Sequence, residues 1–129
     1  MTRPVRRVFP GREDQVRCAR DFVRRILGPD CPRLDEAVLL TSELCTNALQ
    51  HTDSGSGGTF EVTVLRGPGC ARIEVRDEGS KSLPATRDCQ QLSEDGRGLE
   101  IVRLLAYRWG QRGDEYDRCV FFELRCDCP

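Results

Sequence analysis

SELCTNALQHT, residues 42–52, holds the only asparagine and the only histidine of a 129-residue chain. Glu43 stands four residues before Asn47, so on a helix the two side chains are neighbours, about 40° apart around the axis. Around them Leu34, Ala37, Val38, Thr41, Leu44, Cys45 and Ala48 fall on one broad arc, which predicts a helix from Pro32 or Arg33 to His51 with that arc buried. Glu43 and Asn47 then lie beside the apolar arc, not in its centre. Asparagine is a poor helix-interior residue because its amide competes for backbone hydrogen bonds, so Asn47 asks for a reason. One reason is a solvated helix edge. Another is a carboxylate and an amide oxygen offered together to a hard cation and a water, as phosphate chemistry needs.

Outward from this helix the chain punctuates itself. VRRVFPG, residues 5–11, predicts a short first strand ended by Pro10 and Gly11. From Glu13 to Leu27 the residues Val16, Ala19, Phe22, Val23, Ile26 and Leu27 recur at helical spacing, and Gly28 with Pro29 stops that helix. After the Ser- and Gly-rich break at 52–59, FEVTVLR and ARIEVRD predict two strands joined at Gly67-Pro68-Gly69 in an antiparallel hairpin. Residues 80–95 have no clean period and predict a long loop, a length that is usually functional or mobile within one domain. GRGLEIVRLLAYRWG, residues 96–110, predicts a Gly-rich turn feeding an amphipathic helix with Leu99, Ile101, Val102, Leu105 and Ala106 apolar. RCVFFELR predicts the last strand. Helices grouped around hairpin-connected strands imply an α+β two-layer sandwich over residues 1–129, not a regular βαβ alternation.

Composition bounds the function classes. Hydrophobic residues are 38% and charged residues 32%, which suits one folded domain with a single core. The net charge of −1 gives no whole-chain field for nucleic acid or anionic lipid. No stretch has the apolar run of a signal peptide or a membrane span, so the expected location is the cytoplasm. The eight cysteines (18, 31, 45, 70, 89, 119, 126 and 128) include no C-x-x-C pair, which leaves a standard zinc site unsupported. Their plainer reading is buried small hydrophobes and incidental surface thiols. A thiol sensor at Cys89, Cys126 or Cys128 is a separate alternative.

Short glycine motifs need context. G-x-G occurs at Gly55, Gly67 and Gly96, yet only Gly96-Arg97-Gly98 opens into a long amphipathic helix, where free amides and the helix dipole favour an anion. D-x-G occurs at Asp53 and Asp77, but only Asp77-Glu78-Gly79 ends an alternating strand and begins the long loop. A carboxylate there can face a pocket while Gly79 lets the chain turn. Plain turns are the simple alternative for both motifs. There is no G-x-x-x-x-G-K-[ST] phosphate loop and no G-x-S-x-G nucleophile elbow. Nothing in the sequence supports a triad built on His51.

Taken jointly, ELCTNALQH on a helix, RDEG after a strand, a lid-length loop and GRGLEIV opening a helix resemble the GHKL ATPases, the superfamily of gyrase, the large heat-shock chaperone, sensor histidine kinases and mismatch-repair ATPases. CARDFVRRIL, LLTSELCTNALQH, RIEVRDEGS, GRGLEIVRLLAYRWG and CVFFEL look like blocks of its small stand-alone anti-sigma factor kinases, in their actinobacterial branch. The resemblance implies a mixed, mainly antiparallel sheet covered by helices on one face. It also implies ATP and Mg²⁺ as cofactors, with Asn47 coordinating the metal and Glu43 acting as general base or orienting the attacking group. Asp77 would accept a hydrogen bond from the adenine amine, Gly79 would pass the base, and residues 80–95 would form a lid. Gly96, Gly98 and Leu99 would supply phosphate-facing amides, with Arg97 an added charge. His51 takes a family position without a catalytic role. Where such proteins carry a small hydroxyl residue near the adenine, this chain is read as having Cys119, a weaker hydrogen-bond partner.

The resemblance therefore implies an ATP-dependent serine/threonine kinase of anti-sigma type. Its partners would be a sigma factor and an anti-anti-sigma protein, with no direct nucleic-acid or membrane contact, and a homodimer is allowed. A nucleotide-gated binding module without kinase activity is the rival reading, because Glu43 permits catalysis without showing it.

Overall fold

Pro10 and Gly11 end a short edge strand, and the described helices that follow pack on one face of the sheet that strand begins. The computed structural model describes residues 3–51, 57–78, 97–113 and 117–125. Along the chain come β1 (Val5–Pro10), α1 (Gln15–Leu27), α2 (Leu34–His51), β2 (Thr59–Gly67), β3 (Cys70–Asp77), α3 (Arg97–Leu105), β4 (Arg108–Gly113) and β5 (Arg118–Arg125). The five strands lie in the order β1-β2-β3-β5-β4, and every pairing is antiparallel. Among the described residues the sheet is thus antiparallel throughout, where a mixed, mainly antiparallel one was expected. The strand reached from β3 through α3, β4, runs in the same direction as β3 but lies one place away, and β5 fills the gap antiparallel to both.

Alternation makes the two faces of the sheet. Phe9, Phe60, Val62, Val64, Ile73, Val75, Val120, Phe122 and Leu124 point to the helices and are buried. Residues between them, such as Thr63, Glu74 and Glu123, face outward. The helices return matching faces: Ala19, Phe22, Val23 and Leu27 from α1, with Ala37, Val38, Leu40, Leu44, Cys45 and Ala48 from α2. These are the positions that helical periodicity predicts, plus Leu40. Full burial of each large apolar side chain contributes about 1.5–3 kcal/mol, so this single core is the main source of stability.

Local chemistry sets the ends. Gly28 adopts φ 82°, a left-handed conformation that side-chain-bearing residues disfavour, and its amide donates to the Arg24 carbonyl to close α1. Thr41, the one buried hydroxyl on the α2 core face, donates to the Ala37 carbonyl at 2.7 Å and so carries no unmet polar group into the core. The helix α3 stops earlier than its apolar pattern suggests. The Ala106 amide still donates to Val102, but the next amide, Tyr107, donates to Glu123 of β5. The chain passes from helix to sheet within two residues, and Arg108, Trp109 and Gly110, read from the sequence as the end of the helical block, begin β4 (Arg108–Gly113).

Candidate functional site

Each described candidate residue sits where an element ends or where a helix flank faces a neighbour. Glu43 and Asn47 are half-buried on α2, beside its core face. The helix α2 packs on β3 and β5 beneath it and on α3 beside it, so the elements carrying Glu43, Asn47, Asp77 and the Arg97–Leu99 helix start adjoin one another. The Asn47 amide nitrogen is enclosed and has no hydrogen-bond partner. An enclosed amide without a partner costs about 1–3 kcal/mol, a cost that a polar ligand at this flank would remove.

Asp77 closes β3 and faces the helix side, in line with Val75 and Ile73. Its side chain is 2% exposed. The strand register places Arg118, the first residue of β5, directly opposite, and Arg118 Nη2 lies 3.6 Å from Asp77 Oδ2. The Arg118 Nε is enclosed and makes no hydrogen bond. A nearly buried carboxylate beside a nearly buried guanidinium at the open end of two strands is an arrangement with acceptor and donor capacity to offer.

Glu78 follows on the same chain segment and reaches across to β2. Its Oε2 accepts hydrogen bonds from the Thr59 amide at 2.6 Å and the Thr59 hydroxyl at 3.1 Å. A Cβ at Gly58 would come within 2.5 Å of that carboxylate oxygen, so a side chain there would push the Glu78 carboxylate aside. The clamp ties the start of β2 to the end of β3 beside Asp77. Among the described residues, no cluster of three or more His, Cys, Asp or Glu side chains is placed to hold a metal ion by itself. A divalent cation at Asn47 would therefore need a ligand that brings its own oxygens, and phosphate is a group of that kind.

Cys119 is not beside Asp77. In β5 it alternates with Arg118 and Val120, pairs with Arg76 and Arg112, and turns to the outer face of the sheet, where its Sγ lies 4.0 Å from Glu74 Oε1. The expectation that Cys119 approaches the adenine position is corrected by this register: the residue across from Asp77 is Arg118. Strand alternation in RCVFFELR carried the signal, since Arg118 shares the parity of Val120, Phe122 and Leu124. Gly79, Gly96, the loop 80–95, Cys89, Cys126 and Cys128 lie outside the described residues. The helix α3 begins at Arg97, so Gly98 and Leu99 stand in its first turn, and His51 is the last residue of α2.

Comparison with known proteins agrees with this layout. A family model described as a histidine kinase-like ATPase domain matches residues 9–118. Among solved structures, the fold is shared with the RsbU and RsbW domains of Rv1364c from Mycobacterium tuberculosis, at a TM-score of 0.71 and 22% sequence identity. That superposition covers 99% of this chain and 34% of the other, so this chain spans about a third of that protein's length. No curated protein matches the sequence significantly.

Proposed function

The chain belongs to the histidine kinase-like ATPase family, and from that membership we propose that it binds Mg·ATP and acts as an anti-sigma regulator with serine/threonine kinase activity. Its phosphoryl acceptor would be a Ser or Thr of an anti-anti-sigma partner, and it would hold a sigma factor when that partner is absent. The observation that carries the nucleotide reading is Asp77, a carboxylate 2% exposed at the helix-side end of β3. A buried acceptor there selects a base with an exocyclic amine over one with a carbonyl, because the carbonyl would leave the carboxylate facing a second acceptor.

The other residues divide the remaining work. Asn47 presents its side-chain oxygen to the cation and its unpartnered amide nitrogen to a phosphate oxygen. Glu43, one turn earlier, takes the proton of the attacking hydroxyl or holds that hydroxyl in line. Gly79 lets the backbone pass the base. The amides of Gly98 and Leu99 in the first turn of α3, with that of Gly96 from the motif preceding it, donate to phosphate oxygens, and Arg97 adds positive charge there. The bound Mg²⁺ supplies neutralisation of phosphate charge, and positioning does most of the rest, as in phosphoryl transfer generally.

Thermal melts with Mg·ATP and Mg·GTP test the binding. Selective binding raises the midpoint by mass action, so ATP is expected to raise it, GTP to leave it, and Asp77→Asn to abolish the ATP response. No shift with either nucleotide at millimolar concentration would overturn the site. For the chemistry, labelled Mg·ATP is incubated with cognate anti-anti-sigma partners. Label on a partner serine that disappears in Glu43→Ala is the expected result. ATP-dependent partner binding without any transfer would replace the kinase with a nucleotide-gated binding module.

A further inference from the structure

We propose that Arg118 is a specificity-determining residue of the base site, with its guanidinium donating a hydrogen bond to the ring nitrogen N1 of the adenine whose amine is accepted by Asp77. The inference rests on the reading of Asp77 as the base acceptor and extends it to a residue outside every motif of the chain.

Three observations carry it. The β3–β5 register sets Arg118 directly across from Asp77, on the face that Val75 and Val120 share, so both side chains address the same end of the space between sheet and helices. Their closest recorded separation, 3.6 Å, is an ion-pair distance but exceeds the 2.7–2.9 Å of a charge-assisted hydrogen bond. Charge attraction holds the two groups together without a charge-assisted hydrogen bond of full strength between Arg118 Nη2 and Asp77 Oδ2. Finally, the Arg118 Nε is enclosed and has no partner, although the side chain is only 15% exposed. A guanidinium held in place for structure alone would be expected to have its enclosed N–H groups satisfied.

The chemistry of the pair then defines what fits it. Arginine offers donors only and an ionised carboxylate offers acceptors only. Side by side they present donor next to acceptor, and the complement is a ligand edge with acceptor next to donor. Two purine edges have this order, adenine's N1 beside its exocyclic amine and guanine's O6 beside its N1–H, and membership of an ATPase family selects the adenine edge. A neutral hydroxyl at this position would give a weaker hydrogen bond than a guanidinium, so Arg118 strengthens the reading of N1 in particular.

Titration calorimetry of the full chain tests this with Mg·ADP and with Mg·1-deaza-ADP, in which N1 is replaced by C–H. Wild type is expected to bind ADP about tenfold or more tighter than the 1-deaza analogue. Arg118→Met should lower ADP affinity to the level of the analogue and erase the difference between the two ligands, with Arg118→Lys restoring part of it. Equal affinity of wild type for both ligands overturns the proposal without any variant. It is equally overturned if Arg118→Met discriminates as wild type does, or binds ADP more tightly because a competing cation has gone. Asp77→Asn separates the two levels: if that variant keeps full ADP affinity, the base-acceptor reading itself fails, whereas loss of binding there with no N1 effect leaves that reading standing and removes only Arg118.

Discussion

Burial decides the chemistry of single residues that composition leaves open. Cys45 on the core face of α2 is completely enclosed, and the loss of water pushes its thiol pKa well up from the ordinary 9.0. Cys119 is raised as well, first by burial and then by the Glu74 carboxylate, with Arg112, Arg76 and Arg72 opposing. In the unfolded chain both thiols release their protons near 9.0, while the folded chain retains them. The unfolded state then binds fewer protons, so stability falls as pH rises past 9.0 and is unaffected by these groups below it. Urea titrations on either side of that pH are expected to show the alkaline loss in wild type and a smaller loss in Cys45→Ala, which itself costs about 1 kcal/mol at neutral pH. An unchanged alkaline slope in the variant would remove Cys45 as its source. A further consequence is that the native protein should leave Cys45 unlabelled by maleimide.

Elements hold together through a few large contacts, and β1 shows this most directly. It is an edge strand with Val5 and Val8 exposed, and its only buried side chain is Phe9. That ring stacks on Phe60 of β2 at 5.4 Å between centroids and meets Phe22 of α1 edge-on at 6.0 Å, so one residue joins strand, sheet and helix. Phe9→Ala should therefore cost about 3–5 kcal/mol, whereas Val8→Thr should stay within about 0.5 kcal/mol. Chemical denaturation of the two variants checks the contrast, and similar costs would show that β1 is not anchored through this ring. The helices and the strands β1, β2, β3 and β5 were legible because their apolar residues recur at the period of the element. For β4 there was no such signal: RWGQRG has two glycines and two arginines, and only the pairing of Trp109 with Phe122 and of Gln111 with Val120 makes it a strand. At Gly110 the Phe121 ring lies where a Cβ would be, 2.9 Å from it, so this strand accommodates its neighbour by lacking a side chain.

At the scale of the molecule, a single cluster of buried residues draws on each of the three described helices and on strands β1, β2, β3 and β5, with Trp109 of β4 packed against it. One core of this kind unfolds cooperatively. The fluorescence of Trp109, the only tryptophan, and the far-ultraviolet circular dichroism should therefore report the same denaturant midpoint and slope. Separate transitions would show a second cooperative unit and overturn the single-domain assignment. No helix among the described residues is long and apolar enough to cross a membrane.

The sequence by itself determined which residues face a core, because periodicity is a property of consecutive positions. It also marked Glu43, Asn47 and Asp77 as worth attention, through an unfavourable asparagine in a helix and a carboxylate at a strand end. Only the tertiary structure decided that Asp77 stands opposite Arg118 and that Cys119 turns to the other face. Pairing register depends on hydrogen bonds between strands about forty residues apart in the chain, and a one-residue slip would exchange the two faces. A residue's own strand says which side it shares with its neighbours, but the group it meets there is set by another part of the chain.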